Sequence, residues 1–182
     1  LGSATNQLSI VVDLDLRPEG KNGPMSRTIE SHREYAQRWA STWERQAAVR
    51  ARPIGEGSLS DSARALFDEL AYGGVSESDV RDIRLLKARM ENERLPRGIE
   101  PARHVKLGPG GLTDVEWTIQ LIQMRAGTNN PALRTPSTTQ AIRSAREHEL
   151  ISAQDAQTLL DAWDMATRIR AANTLASGRM SG

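Results

Sequence analysis

One segment near the start of the chain has the pattern of a strand, whereas almost everything after it has the pattern of helices. Residues 8–17 join a β-branched run at 10–12 to a strict alternation of charged and leucine side chains that ends at Arg17. A lone strand cannot satisfy its own backbone hydrogen bonds or cover its apolar side chains. A second strand-like stretch, 104–107, is short. We therefore expect the chain to be part of a longer protein, in which the partners of the first strand lie upstream of Leu1.

Helical periodicity dominates the rest of the chain and predicts a mainly α fold. An apolar stripe at four-residue spacing predicts one helix over about 28–50, with its tryptophans in the core; the stripe consists of Tyr35, Trp39, Trp43 and Ala47. Further helices are predicted over about 61–71, from 76 up to 96, from 113 onward, over about 137–147 and from 152 onward. Ser76 with Asp79, and Thr113 with Glu116, have the spacing of capping boxes. The helix after Thr113 carries apolar side chains on two faces, so we expect it to be buried on most sides.

Charge and composition exclude several classes of protein. The 182 residues contain 24 basic and 23 acidic side chains, which leaves a net charge of +1. Proteins that bind nucleic acid or acidic lipid through general charge carry a larger positive excess, so neither partner is expected. The sequence has no Cys, which excludes disulfides and thiolate metal sites. No apolar run approaches the roughly 20 residues that span a bilayer, so no membrane association is expected.

Two carboxylates in the predicted strand are candidate metal ligands. Asp13, Asp15 and Arg17 are spaced two residues apart, so on a strand their side chains share one face. Two carboxylates beside an apolar run favour a nearby cation, and Mg²⁺ prefers such oxygen ligands. The alternative is that these side chains form a solvated face on which Arg17 pairs with Asp15.

A glycine-rich loop before the buried helix is a second candidate site. Residues 106–112 read KLGPGGL, and such loops can present backbone N–H groups to an anion at a helix N-terminus. Lys106 is therefore a candidate nucleotide-binding residue. The loop lacks the ending of a Walker A motif, and Asp114 and Glu116 would repel a phosphate. The alternative is a tight turn followed by a capped helix.

Three sequence blocks together resemble the family of glutamine synthetase adenylyltransferases, which are bifunctional adenylylating and adenylyl-removing enzymes. Residues 12–20 read VDLDLRPEG and 22–24 read NGP, which is similar to the family's VD-x-x-LRP-x-G-x-x-GP segment. Residues 43–47 (WERQA) with 50–52 (RAR) resemble its WE-x-QAL-x-RAR helix. Residues 106–117 (KLGPGGLTDVEW) resemble its KLG-x-GG-x-x-D-[VI]-E segment, and 133–135 (LRT) also fit. The blocks 93–98 and 113–117 are more similar to the adenylylating, C-terminal half of the family.

The resemblance implies a fold, a reaction and a set of partners. Residues 1–54 would be the C-terminal remainder of an α+β nucleotidyltransferase domain of the DNA-polymerase-β type, and 55–182 a helical domain. The parent enzyme would transfer AMP from ATP to a tyrosine of glutamine synthetase in the cytoplasm, with Mg²⁺ as cofactor and a PII-type signal protein as regulator. Asp13 matches the third metal-binding carboxylate and would be catalytic. Asp15 falls where many members have Arg, and Arg17 matches an Arg on the nucleotide side of the sheet.

Two other functions stay open at this point. The chain could belong to the adenylyl-removing half, which would share Asp13 and Mg²⁺ but release AMP as ADP by using phosphate. The helical part could instead be a non-catalytic module that docks a PII-type protein or glutamine synthetase. In either enzyme reading we expect the isolated chain to lack transferase activity, because it offers one or two of three metal carboxylates.

Overall fold

The order of helices is the main feature of the computed structural model, which describes residues 14–178. Within that range the chain forms seven α-helices and three short 3₁₀ helices, and no strand. The α-helices are α1 (Ile29–Arg38), α2 (Thr42–Ala48), α3 (Ser58–Tyr72), α4 (Glu77–Arg94), α5 (Leu112–Ala126), α6 (Thr138–Glu147) and α7 (Ala153–Ser177). The 3₁₀ helices are Gly20–Asn22, Pro101–Arg103 and Pro131–Leu133. The mainly helical fold is therefore confirmed, and the nucleotidyltransferase remainder stays a prediction.

The predicted strand is not extended where the structure describes it. Residues 8–13 of that prediction lie outside the described residues, and 14–17 form coil and bend rather than strand. The short stretch 104–107 is likewise a turn, not a strand. In both places the prediction of a strand was wrong, because turn-forming residues follow directly. These residues are Pro18 and Gly20 in the first place and Gly108 in the second.

The chain divides into two compact units, Leu1–Ala40 and Ser41–Gly182. The second unit begins at Ser41 because α2 packs against α3, α4 and α5. The domain boundary predicted between residues 54 and 55 stays a prediction, since it concerns domains of the parent protein. No helix within 14–178 is both long and apolar enough to cross a bilayer.

The helix predicted over 28–50 is two helices, which corrects the sequence interpretation. α1 ends at Arg38, and α2 starts after Ser41, whose backbone N–H donates to the Glu44 carboxylate at 2.8 Å. This capping interaction starts a new helix inside the aromatic stripe. Trp39 and Trp43 are 73% and 45% exposed, so they do not belong to the core.

Two apolar clusters form the core of the second unit, and α5 contributes to both. The first joins α5, α6 and α7 through buried side chains that include Val115, Ile119, Ile142 and Ala156. The second joins the end of α2 to α3, α4 and α5. Met124 at 0% exposure is the α5 residue of that second cluster. The prediction that α5 is buried on most sides is confirmed.

Caps define where most of these helices begin. Ser76 and Asp79 form the predicted capping box: the Asp79 N–H donates to Ser76 Oγ at 3.1 Å, and the Ser76 N–H donates to Asp79 Oδ2 at 2.8 Å. Ser137 and Ser152 cap α6 and α7, which begin close to the predicted positions. The box predicted at Thr113 is wrong, because the N-cap position of α5 is Gly111, two residues before Thr113.

Candidate functional site

Arg17 organises the turn that follows the first candidate metal-binding segment. Its guanidinium donates to the carbonyl oxygens of Leu14, Gly23 (3.0 Å) and Lys21 (3.1 Å). A guanidinium suits this position because it carries five N–H donors in a fixed plane. Gly23 fits closely into the same turn, where an added Cβ would lie 2.0 Å from the carbonyl oxygen of Pro18. Arg17 thus holds the turn together, and its predicted place beside a nucleotide stays a prediction.

Asp15 lies between two cations rather than beside a second carboxylate that the structure describes. Its carboxylate oxygens are 3.9 Å from Arg17 Nη1 and 3.5 Å from Lys21 Nζ. The pairing with Arg17 is the one that the solvated-face alternative expects. Asp13 lies outside the described residues. Across 14–178, no group of three acidic or histidine side chains could hold a metal ion. The predicted Mg²⁺ site therefore stays a prediction.

The glycine-rich loop is closed by its own backbone. The amide N–H groups of Gly108, Gly110 and Gly111 donate to His104 O (2.7 Å), Asp114 Oδ2 (2.7 Å) and Gly108 O (2.9 Å). The next two amides, at the start of α5, donate to the carbonyls of residues 105 and 106 at 2.9 and 3.0 Å. The loop therefore has the bonding of a tight turn, because the amides that could hold an anion already have partners.

Two side chains complete the closed loop. Thr113 is buried and donates its hydroxyl to the Lys106 carbonyl at 2.7 Å, which is why it does not act as an N-cap. His104 is buried, and its Nδ1 accepts from the Leu107 N–H at 3.0 Å. The Lys106 side chain itself is exposed, and its role in nucleotide binding stays a prediction.

Lys87 of α4 links this loop to the rest of the second unit. Its ammonium group pairs with Asp114 and with Glu91. Burial alone would lower the pKa of Lys87, but the hydrogen bonds and charges of the two carboxylates raise it above its usual value. A cavity of about 670 Å³ lies beside the cluster, between the end of α4 and the loops at 95–101 and 107–109. The pairing with Lys87 holds the Asp114 carboxylate in place, and this carboxylate accepts a hydrogen bond from the Gly110 N–H.

Two of the family-like blocks meet where α2 packs on α5. Gln46 donates its side-chain amide to Gln120 Oε1 at 2.9 Å, and both residues are buried. Arg50 Nη1 donates to Glu116 Oε1 at 2.8 Å and to Thr138 Oγ1 at 2.9 Å. The sequence analysis did not predict this contact between α2 and α5. The available signal was the matching four-residue spacing of Gln46 with Arg50 and of Glu116 with Gln120.

The block at 133–135 is also anchored to α5. The buried Gln123 amide donates to the carbonyls of Leu133 (2.6 Å) and Thr135 (2.8 Å). Arg134 donates to the Gly127 carbonyl at 2.8 Å and lies over the Tyr72 ring, 5.7 Å from its centroid. Burial, and then the nearby charge of Asp68, raise the pKa of Tyr72 to about 12, against a lowering effect of Arg134. α5 is thus the element that holds the family-like blocks of the second unit together.

Comparison with known proteins gives two family matches that follow one another along the chain. Residues 1–66 match the family model described as glutamate-ammonia ligase adenylyltransferase. Residues 84–181 match the model described as GlnD PII-uridylyltransferase. Both descriptions are of nucleotidyltransferases, which is the class of protein that the two matches define.

Curated relatives are similar over nearly the whole chain. The bifunctional glutamine synthetase adenylyltransferase/adenylyl-removing enzyme of Streptomyces coelicolor is 50% identical over 93% of this chain. The enzymes with that description from Leifsonia xyli and Cutibacterium acnes are 48% and 45% identical over 96% and 100% of it. The chain belongs to this family of bifunctional glutamine synthetase adenylyltransferase/adenylyl-removing enzymes, which confirms the resemblance. It spans only 17%, 18% and 19% of the length of these three relatives.

Proposed function

We propose that the protein containing this chain transfers AMP from ATP to a tyrosine of glutamine synthetase, and that it acts in the cytoplasm. The observation that carries the proposal is the 45–50% identity, over nearly the whole chain, to enzymes described as performing this adenylylation and its removal. The match of residues 1–66 to the glutamate-ammonia ligase adenylyltransferase model supports the same assignment.

Within that reaction the N-terminal segment would supply one carboxylate. Asp13 is the proposed catalytic residue and the third metal ligand, and Mg²⁺ would stabilise the charge that develops on the ATP phosphates. Asp15 fits a metal poorly, because Arg17 and Lys21 already neutralise its carboxylate. Arg17 would hold the turn at 17–23 in shape directly after these acidic residues.

The helical unit would serve regulation and positioning. We propose the adenylylating half as its origin, because the blocks at 93–98 and 113–117 resemble that half. The match of 84–181 to a PII-uridylyltransferase model favours a second role, in which this unit responds to a PII-type signal protein. The closed loop at 108–111 and the contact between α2 and α5 would then hold the helices of that unit in a fixed arrangement. The adenylyl-removing half is the alternative origin.

The test is a matched pair of substitutions in the full-length protein. Transfer of radiolabelled AMP from ATP to purified glutamine synthetase is measured for Asp13→Asn and Asp15→Asn. Loss of a metal carboxylate is expected to slow transfer by about a hundredfold or more, since the metal contributes several kcal/mol to the transition state. We expect Asp15→Asn to retain most of the activity. Full activity of Asp13→Asn would contradict the catalytic assignment, and absence of any labelling by the unaltered protein would contradict the proposed reaction.

The choice between the two halves needs a separate assay. Pre-adenylylated glutamine synthetase is incubated with phosphate and the full-length protein, and release of ADP is followed. If Asp13 belongs to the adenylylating half, Asp13→Asn leaves this phosphorolysis intact. Loss of ADP release together with intact AMP transfer would assign the chain to the adenylyl-removing half instead.

A further inference from the structure

The exposed side of α4 carries arginines around a leucine, and here we call it the α4 arginine face. It consists of Arg81, Arg84, Leu85 and Arg89. Arg81 and Arg89 lie one turn before and one turn after Leu85 on the same side of the helix, and Arg84 lies beside it. Leu85 is 60% exposed. The buried residues of α4, Val80 and Ile83, lie on the other side.

The three arginines of this face have no partner among residues 14–178. Other arginines of the second unit do: Arg45 pairs with Asp79, Arg50 with Glu116 and Arg125 with Glu77. None of the α4 arginine face takes part in an ion pair or side-chain hydrogen bond in that described range. Glu77, Asp82 and Glu93 border the face. Glu77 is paired with Arg125, so the three arginines exceed the two remaining carboxylates by one charge.

α4 is also thinly packed for its length. Helices in water obtain most of their stability from packing an apolar side against a neighbour. α4 has 18 residues, of which only Val80 and Ile83 are buried. A large exposed leucine in the middle of such a helix is therefore surface that a partner can cover.

We propose that the α4 arginine face docks a separate protein that presents acidic side chains around an apolar one. Charge complementarity selects the acidic partner, because three unpaired guanidinium groups would each gain a carboxylate. Arginine is enriched in protein interfaces that form and dissociate, whereas permanent interfaces are more apolar. Nucleic acid fits less well, because a phosphate backbone offers no apolar group to the exposed Leu85. This inference does not depend on the proposed enzymatic function.

A synthetic helical peptide provides the probe. It carries a leucine stripe flanked by glutamates, and a matched peptide carries glutamines in their place. Fluorescence anisotropy with the purified chain is expected to show at least about tenfold tighter binding of the acidic peptide, weakened by added salt. A short DNA duplex labelled in the same way serves as the competing kind of partner.

Three exposed substitutions make the test specific. We expect Leu85→Ser and Arg84→Gln each to weaken binding of the acidic peptide by about three- to tenfold. Arg143→Gln on α6 is the matched control, because Arg143 is also exposed and outside every ion pair that the described residues form; it should leave binding unchanged. Circular dichroism and the thermal midpoint verify that each variant is folded. Equal binding of the two peptides, no effect of Leu85→Ser, or tighter binding of the DNA duplex would each overturn the proposal.

Discussion

At the scale of single residues, the buried pair Gln46 and Gln120 shows how a polar contact specifies the packing of two helices. Their amide groups meet at 2.9 Å, although the residues are 74 positions apart in sequence. A buried amide without a partner loses its hydration and gains nothing in return, so each glutamine requires the other. The pair therefore favours one register of α2 on α5 over shifted alternatives.

This dependence predicts a non-additive double-mutant cycle. Gln46→Leu is expected to lower the free energy of unfolding by about 1–3 kcal/mol, because Gln120 is left buried without its donor. Adding Gln120→Leu should restore part of that loss, since both polar groups are then gone. Urea unfolding followed by circular dichroism measures all four proteins. A double variant that loses the sum of the two single effects would show that the pair is not coupled.

At the scale of elements, Asp79 joins the start of α4 to the side of α2. It accepts from Ser76 within α4, from Thr42 Oγ1 at 2.9 Å and from Arg45 Nη1 at 3.3 Å. Burial alone would raise the pKa of Asp79, but the hydrogen bonds from Ser76 and Thr42 and the charge of Arg45 lower it below its usual value. The ionised carboxylate is thus part of the packing between the two helices.

The lowered pKa predicts a specific acid sensitivity. A carboxyl with a folded-state pKa below its unfolded value stabilises the protein above the unfolded pKa of about 3.8, and that contribution is lost as the pH falls further. Asp79→Asn is expected to be less stable than the unaltered protein at pH 7 by about 1.5–3 kcal/mol, the size of hydrogen bonds to a charged group. The difference should shrink as the pH falls below 4. A difference that is constant from pH 7 to pH 3 would contradict this role.

The closed loop before α5 predicts a change in amide exchange. Lys87→Met removes the ammonium group that holds Asp114, so the Gly110 N–H loses a fixed acceptor. Its hydrogen exchange is expected to accelerate roughly tenfold, as for a locally weakened hydrogen bond. Arg89→Met on the same helix is the control and should leave this amide unchanged. Because the pKa of Lys87 is raised, the pairing contributes at neutral pH and is lost only in strongly alkaline solution. Unchanged exchange in Lys87→Met would mean that Asp114 is held by the loop alone.

Local signals in the sequence predicted some elements and hid others. Ser76 and Asp79 mark the start of α4 because both partners of the capping box lie within one turn. Ser41 and Glu44 form a similar cap, but the regular spacing of Trp39 and Trp43 around it predicted an unbroken helix. Where a cap interrupts an apolar stripe, the hydrogen bonds that the cap gives to backbone amides determine where the helix begins.

The remaining features depend on contacts that local sequence rules do not predict. Thr113 has the spacing of a cap but donates to the carbonyl of Lys106 in the folded loop, a contact that no local rule contains. The pairing of Arg50 with Glu116 across 66 positions was equally out of reach, although each residue belongs to a family-like block. The family resemblance therefore identified the blocks, and only the fold brought them together.

At the scale of the whole molecule, α5 contributes to both apolar clusters, so we expect the second unit to unfold as a single cooperative structure. Met124→Ala is expected to lower the free energy of unfolding by about 2–5 kcal/mol in one transition, since a fully buried side chain leaves a cavity. Met165→Ala on α7 is the matched control: Met165 is 62% exposed, so the change should stay within about 0.5 kcal/mol. Two separate unfolding transitions in Met124→Ala would show that the clusters are independent.

The first turn of α5 has a mechanical consequence. The first amides of a helix have no partner within the helix, so they depend on caps, water or neighbouring segments. Here the amides of Leu112 and Thr113 are tied to the carbonyls of Val105 and Lys106. A displacement of segment 104–107 would therefore be expected to move the first turn of α5 with it. The hydrogen bonds of Gln120 and Gln123 link α5 in turn to α2 and to the 133–135 segment.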